Sequence, residues 1–478
     1  MTGAWRWLRV LVALQLFRLL VAALFELVPQ EAYYVFYARH PALSYFDHPG
    51  LLAWTLALPA KLHPPPPVLI RLIPFIFAVI TLWGMVRLAR RFLPADPGRA
   101  VLLLATTGLF SILTVVALPD APLVAAWTWC LCFLADALLD GRERAWIPAG
   151  LAAGLAFESK YTGAFLLLGA GLLLLAMPRG RRALATPWPW LGIGVAALVT
   201  APVWIWNAGH GWASFLFQTA GRVEHARGLS PWNLLGLVGS ELVLALPPLL
   251  VVWAREAGRA VPRILRGTVE DEELFLAAFS LLPAIVLVLV SLGAVVKPNW
   301  PFPLWIAGTL WAARRTGPWL LRWNVAASAV VHAVVLLELF AYPVRLGDDT
   351  WVGWSALRAE TAARLRPGEF VFSADDYKTT SELLVDGTLE AHGRELLGQP
   401  ALQFDFVGFD PRSLAGRSGL FLDSDPARFD DDPSGPPPAA LLARCGRISE
   451  EPPILVRRAG RIVRRFRAWR CVDYRPPP

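Results

Sequence analysis

A helix needs about 20 consecutive apolar residues to cross the hydrocarbon core of a bilayer, and runs of that kind fill most of this chain from Leu8 to Tyr342. By that criterion there are about eleven: 8–28, 68–88, 101–118, 123–139, 146–157, 162–177, 190–206, 234–253, 274–296, 301–313 and 321–342. Hydrophobic residues make up 56% of the 478 and charged ones 17%, which excludes a soluble globular protein of this size. The first run follows Arg6 and Arg9 and has no small-residue cleavage pattern, so it reads as an uncleaved span.

The net charge of +8 raises the question of nucleic acid. The arginines answer it, because they fall in alternate short loops: Arg6 and Arg9; Arg87, Arg90, Arg91 and Arg99; Arg142 and Arg144; Arg179, Arg181 and Arg182; Arg255, Arg259, Arg263 and Arg266; Arg314 and Arg315. That alternation is the signature of membrane orientation, and it predicts a cytoplasmic N-terminus and no nucleic-acid partner. The other loops then face outward, as does everything beyond residue 345. Residues 1–345 read as a transmembrane domain and 346–478, far more polar, as a small extracytoplasmic α/β domain, with strands near 369–373 and 419–423 beside a helix near 377–385.

The outer loops hold most of the unusual polar residues. Residues 31–49 carry two carboxylates, two histidines and four tyrosines within an outer loop, 29–67, that includes juxtamembrane helices. Residues 146–177, arginine-flanked on both sides, are too long for one span and short for two, so they go out and return with an apex at Glu158 to Tyr161. A lysine there is costly unless it is paired, with Glu158 for example, or used. Cys130 and Cys132 sit in an apolar run and read as small core side chains. Cys445 and Cys471 lie in the external domain and are expected to form a disulfide. The arginine-rich 457–470 segment reads as a two-stranded ribbon with a solvated basic face, which an anionic membrane surface could also use. No C-x-x-C, H-E-x-x-H, Walker or G-x-G-x-x-G pattern occurs in a suitable context.

A membrane protein with polar groups gathered at one interface is a transporter, a channel or an enzyme acting on a lipid-borne substrate. A lipid or solute transporter would place ionisable residues near the midplane and tend to show repeated halves, and no repeat is found. Carboxylates suited to deprotonating a hydroxyl, with Lys160, His48, Arg71 and Lys297 suited to a phosphate, fit glycosyl transfer from a lipid phosphate sugar. Tyr34, Asp47, Tyr161, Asn207, His210 and Asn299, from the same loops, are the candidate substrate contacts.

The ordered segments EAYYVFYARH, LSYFDHPG, LARRF, LPDAPL, GLAFESKYTG, PVWIWNAGHGW, ASFLFQ and KPNWPFP, followed by ADDYKTTSELL from Ala374 and QFDF from Gln403, resemble the bacterial polyprenyl-phosphate-dependent glycosyltransferases. That family is related to protein O-mannosyltransferases and to the aminoarabinose transferase of lipid A. The resemblance implies a GT-C membrane fold, a polyprenyl-phosphate sugar donor, a lipid, glycan or protein acceptor, and a site at the outer face of the bacterial cytoplasmic membrane. By position, Glu31 matches the second member of the family's acidic pair and is the expected general base, with Asp120 the alternative. Gln30 stands where many relatives carry an aspartate. Asp47 and His48 match an acidic–basic pair near the donor phosphate, Gly50 replaces a commoner proline, and Lys160 matches the family's lysine between two short spans. No cofactor is required, although Glu31, Asp47 and Asp120 could share a divalent ion with the substrate phosphate.

Overall fold

A computed structural model describes residues 4–219, 229–341, 351–375, 377–423, 436–458 and 461–477. Its α-helices are α1 (Ala4–Ala23), α2 (Pro29–Arg39), α3 (Leu51–Leu56), α4 (Pro67–Phe92), α5 (Pro97–Ala105), α6 (Gly108–Val115), α7 (Asp120–Leu138), α8 (Trp146–Ser159), α9 (Ala164–Ala176), α10 (Pro178–Ala183), α11 (Trp188–Val199), α12 (Ala201–Gly209), α13 (Ala213–Gln218), α14 (Pro231–Leu244), α15 (Pro247–Leu265), α16 (Asp271–Ser291), α17 (Leu304–Arg314), α18 (Trp319–Ala341), α19 (Trp354–Arg364), α20 (Lys378–Leu384) and α21 (Ala439–Leu442). The chain divides into two compact units. The first comprises Met1–Val21, Ala42–Leu52 and Arg71–Val334, and the second Ala22–Pro41, Ala53–Ile70 and Val335–Pro478.

Each of the apolar runs is largely helical, but they are not eleven straight spans. Among the described residues four helices, α4, α7, α16 and α18, are long and apolar enough to cross a membrane, and three more candidates are bent pairs. The expected 234–253 span is the clearest correction: α14 and α15 meet at 120°. Leu246, followed by two prolines, takes φ +78° at the break. Proline lacks the N–H that would continue the helical ladder, so the run turns there despite its apolarity. The expected 101–118 span is likewise broken, with 69° between α5 and α6.

The α5–α6 break leaves carbonyls without helical partners, and Arg18 of α1 satisfies one. Buried in the first unit, it donates to the Ala105 carbonyl, to Ser111 Oγ (2.8 Å) and to Gln15 Oε1 (2.5 Å). Ser111 also contacts Nε2 of His332 at 2.6 Å, whose Nδ1 lies 2.8 Å from the Ser328 carbonyl. With the proton on Nδ1, His332 donates to Ser328 and accepts from Ser111. Thus α1, α6 and α18 are stitched together through polar groups inside an apolar bundle.

The arginine loops do gather at one end of this unit. Arg87 pairs with Asp136, Arg91 with Asp140, Arg99 donates to the Ala313 carbonyl, and Arg263 and Arg315 share the buried Glu273. Asp136 lies near the C-terminus of α7, whereas Asp120 begins that helix about 24 Å away at 1.5 Å per residue. Helix α8 approaches α11 through Gly150 and Gly154, the close-packing G-x-x-x-G spacing. A Cβ on Gly150 would fall 1.9 Å from the Gly192 carbonyl, so no other residue permits this approach.

In the second unit a five-stranded sheet runs in the order β2-β1-β3-β5-β4, with β1 (Phe370–Ser373), β2 (Ala391–His392), β3 (Gly419–Asp423), β4 (Cys445–Arg458) and β5 (Arg461–Tyr474). Strands β1, β2 and β3 are parallel, β5 antiparallel to both neighbours. The strands and helix expected from sequence are present, as is the basic ribbon, β4–β5. The Cys445–Cys471 bridge is formed, with Cα atoms 5.4 Å apart.

Beside β2, burial pushes the Glu395 carboxyl up to about 7 and the His392 imidazole down to about 4. Glu395 Oε1 accepts from the Gly393 N–H at 2.8 Å, while Oε2 has no partner among the described residues. A carboxyl raised in the fold contributes stability that is complete below its unfolded value near 4.5 and is lost as pH rises through about 7. Glu395→Gln, neutral throughout, should therefore gain on the wild type by on the order of 3 kcal/mol between pH 4.5 and 8. Hydrogen exchange of the β1–β3 amides in the full chain measures this. A difference that does not change with pH would overturn it.

Candidate active site

At the end of the first unit away from the arginine loops, three polar side chains from distant parts of the chain meet. Asp120 is the first residue of α7, where unpaired N–H groups and the helix dipole favour a carboxylate. Its Oδ1 accepts from Lys160 Nζ at 2.8 Å and its Oδ2 from Asn299 Nδ2 at 2.7 Å. Lys160 ends α8 in an extended conformation, which turns it out of the helical path toward α7. Both charged side chains are buried, at 8% and 4% exposure. Burial of this kind makes the partners indispensable to each other, since either charge alone would be left uncompensated.

The alternative reading, a Glu158–Lys160 ion pair, is not what forms: Lys160 pairs with Asp120. Glu158, also buried, accepts from the Gly50 N–H at 3.4 Å, and its Oε2 has no partner among the described residues. The helix ends between the two residues, so their side chains diverge.

Gly50 closes the loop holding Asp47 and His48, a tight turn bridged at Ser44 and Pro49, with the Tyr45 N–H donating to the His48 carbonyl at 3.2 Å. The ASFLFQ helix, α13, fixes that loop: Ser214 Oγ donates to the Tyr45 carbonyl (3.0 Å) and Gln218 Nε2 to the Asp47 carbonyl (2.7 Å). Asn207 spends its amide on the Val203 carbonyl and the Ser214 N–H, so it positions α13. Tyr161 rests against Phe157 and Phe215 with ring centroids 5.6 and 5.5 Å away. His210 is exposed, stacks on Trp206 at 4.1 Å and has Nδ1 2.7 Å from the Trp206 carbonyl. Lys297 is exposed two residues before Asn299, and Arg71 is buried in α4. Sequence reasoning missed Ser214 and Gln218 as supports of the Asp47–His48 loop. The only signal for them was the ASFLFQ segment itself.

An apolar cavity of about 120 Å³ opens beside this cluster, walled by Leu109, Leu113, Leu244 and Phe302, with Asp120 and Asn299 among its lining residues. Such walls suit a hydrocarbon group, and Asp120 and Asn299 give the cavity its polar lining.

Glu31 and Tyr34 belong to the second unit. Glu31 is fully buried in the first turn of α2, where Oε2 accepts from the Val28 N–H at 3.0 Å. Tyr34, also buried, packs edge-on against Tyr37 at 5.6 Å. The neighbouring Tyr33 stacks on Tyr377 at 4.7 Å and its hydroxyl accepts from the Gln403 N–H at 3.1 Å. The ADDYKTT and QFDF segments thus hold α2.

Residues 47–206, which contain Asp47, His48, Asp120, Glu158 and Lys160, match the family model described as dolichyl-phosphate-mannose-protein mannosyltransferase. Over 427 residues the chain is 24% identical to the lipid A galacturonosyltransferase RgtD of Rhizobium johnstonii, covering 82% of this chain and 85% of that protein. The fold matches the crystal structure of ArnT from Cupriavidus metallidurans bound to undecaprenyl phosphate over 100% of both chains, with TM-score 0.63 at 16% identity. Its apo form matches with TM-score 0.65 over 99% of both, at 15% identity. The chain is similar in sequence to the polyprenyl-phosphate glycosyltransferases and shares the GT-C membrane fold. It is therefore a membrane enzyme, with a helical GT-C body and a small sheet. Among the described residues of this GT-C transferase, no three His, Cys, Asp or Glu side chains are grouped to hold a metal ion.

Proposed function

We propose that this glycosyltransferase moves a sugar, with inversion, from a polyprenyl phosphate to a lipid hydroxyl at the outer face of the bacterial cytoplasmic membrane. Residues 1–345 form the catalytic membrane domain and 346–478 an extracytoplasmic domain in this reading. The observation that carries it is the buried Asp120–Lys160–Asn299 cluster beside an apolar cavity. A lipid acceptor is favoured by the lipid A specificity named for the similar Rhizobium transferase.

In this mechanism Glu31 takes the acceptor proton, and the acceptor oxygen forms its bond to the sugar C1 as the C1–O bond to phosphate breaks. The polyprenyl phosphate leaves with the bonding electron pair, so it needs cationic clamping more than protonation. Lys160 has two N–H groups left after Asp120, and Asn299 is fixed beside it. His48, Arg71 and Lys297 are the further phosphate contacts we assign, and Asp47, Tyr34, Tyr161 and His210 the sugar or acceptor contacts.

Transfer of radiolabelled sugar from purified polyprenyl-phosphate sugar to lipid tests the reading directly. Label that crosses the membrane of proteoliposomes without being transferred would favour a transporter instead. Because all the assigned roles fall to side chains, transfer is expected to persist in EDTA. Loss of activity in EDTA and its return with a divalent ion would add a metal bound together with the substrate phosphate.

A further inference from the structure

Groups distant in sequence hold the 69° angle between α5 and α6. Two carbonyls at the break are satisfied from outside the run: Ala105 accepts from Arg18 of α1, and Thr106 from Ser328 Oγ of α18 at 2.6 Å. Asn324, one turn before Ser328, donates its amide to Thr106 Oγ1 at 3.2 Å. On the α6 side, Thr107 Oγ1 accepts from the Phe110 N–H at 3.2 Å and starts the new helix. A buried carbonyl without a partner is costly, so without these donors the apolar run would gain by straightening and completing its own ladder.

Arg18 is the unusual member of the set. It is 4% exposed, its acceptors on Gln15, Ala105 and Ser111 are neutral, and its guanidinium lies 5.5 Å from the Phe110 ring centroid. A charge buried among neutral groups is costly to keep, and Ser328 shows that a hydroxyl is enough to satisfy one carbonyl. What the guanidinium adds is reach across the break. Its Nη2 bonds both to the Ala105 carbonyl, the last of α5, and to Ser111 in the first turn of α6.

The angle so fixed sets one wall of the cavity beside Asp120, because Leu109, Ile112 and Leu113 of α6 line it together with Leu244. Eight residues of helix span about 12 Å, so a change of about 10° at the break moves the far end of α6 by about 2 Å. That is a large displacement for the wall of a cavity of about 120 Å³.

We propose that Arg18 is a positioning residue for sugar transfer: by fixing the α5–α6 angle it seats α6 against the prenyl chain of the donor. The inference rests on the polyprenyl-phosphate donor proposed for this enzyme. Arg18 itself touches neither phosphate nor sugar in this role.

The test uses the full chain in nanodiscs, with geranyl phosphate and ethyl phosphate compared as competitors of transfer from a polyprenyl-phosphate sugar. The ratio of their inhibition constants reads the contact made by the prenyl chain alone. Each methylene group withdrawn from water is worth about fourfold in affinity, so a ratio of about 100 is expected for the wild type. Arg18→Met should lower it about tenfold, the loss of about two such contacts, with inhibition by ethyl phosphate unchanged. Arg18→Lys should recover part of the ratio, and Ser328→Ala, which removes no charge, should lower it by a smaller factor. Loss of folded protein scales every rate together and leaves the ratio intact, so poor folding of Arg18→Met does not imitate the effect, and Ser328→Ala carries the test if that variant does not fold. Retained transfer with an unchanged ratio, or an equal loss of both competitors, would overturn the proposal. Absence of transfer by the wild type would instead remove the donor reading beneath it.

Discussion

Lys160→Met is expected to damage the protein twice over, and a double substitution separates the two effects. The structure changes what the single variant means, because Lys160 is the cation for a buried Asp120 and not for Glu158. Removing the lysine leaves a buried carboxylate with Asn299 as its remaining hydrogen-bond partner among the described side chains, a situation that costs about 3–5 kcal/mol in folded proteins. Poor stability of Lys160→Met therefore says nothing about donor binding. Asp120→Asn combined with Lys160→Met has no orphaned charge, and its thermal unfolding should return close to that of the wild type. A charge-assisted hydrogen bond to the leaving phosphate is worth about 1.5–3 kcal/mol, so the double variant should still lose roughly 10- to 150-fold in kcat/KM for the donor. Wild-type kcat/KM in a stable double variant would reduce the pair to a structural brace.

The contrast between what the sequence displayed and what it concealed follows from the range of the interactions. Apolar runs and arginine alternation are local properties, and they identified the helical segments and the shared end of Arg87, Arg99, Arg263 and Arg315. Hydropathy carries no direction, however, so it ran straight through the breaks at Thr106 and Leu246. Pro247 and Pro248 were the readable sign of the second break. The first is stabilised by Arg18, 87 residues from the carbonyl it satisfies, which no window along the chain could reveal.

The site divides in the same way. Asp120, Lys160 and Asn299 stood out individually as polar residues at the edges of apolar runs, and their mutual hydrogen bonds are the new fact. Asn207 also stood out, but its amide is consumed by backbone groups, a distinction that only three-dimensional neighbours supply. The link from Gln218 to the Asp47 carbonyl spans 171 residues between two segments whose individual composition gave no hint of contact.

Glu31→Gln is expected to lower turnover by a hundredfold or more while leaving the fold intact. Two roles compete for this residue. As a cap, its Oε2 accepts from the Val28 N–H and secures the first turn of α2. As a base, it removes the acceptor proton, for which Gln30 beside it has no capacity. The substitution discriminates because the amide oxygen of glutamine accepts from Val28 as the carboxylate does, so the capping loss stays near or below about 1 kcal/mol. Proton abstraction has no such substitute, and positioned general-base catalysis is worth about 10² to 10⁴ in rate. Stability, donor KM and kcat therefore answer different questions in one variant. A kcat reduced a hundredfold at unchanged KM and unfolding temperature assigns the base to Glu31. Full turnover in Glu31→Gln would leave it a cap and pass the role to Asp120, whose two oxygens are held by Lys160 and Asn299 and would have to be released by the incoming phosphate before either could accept a proton.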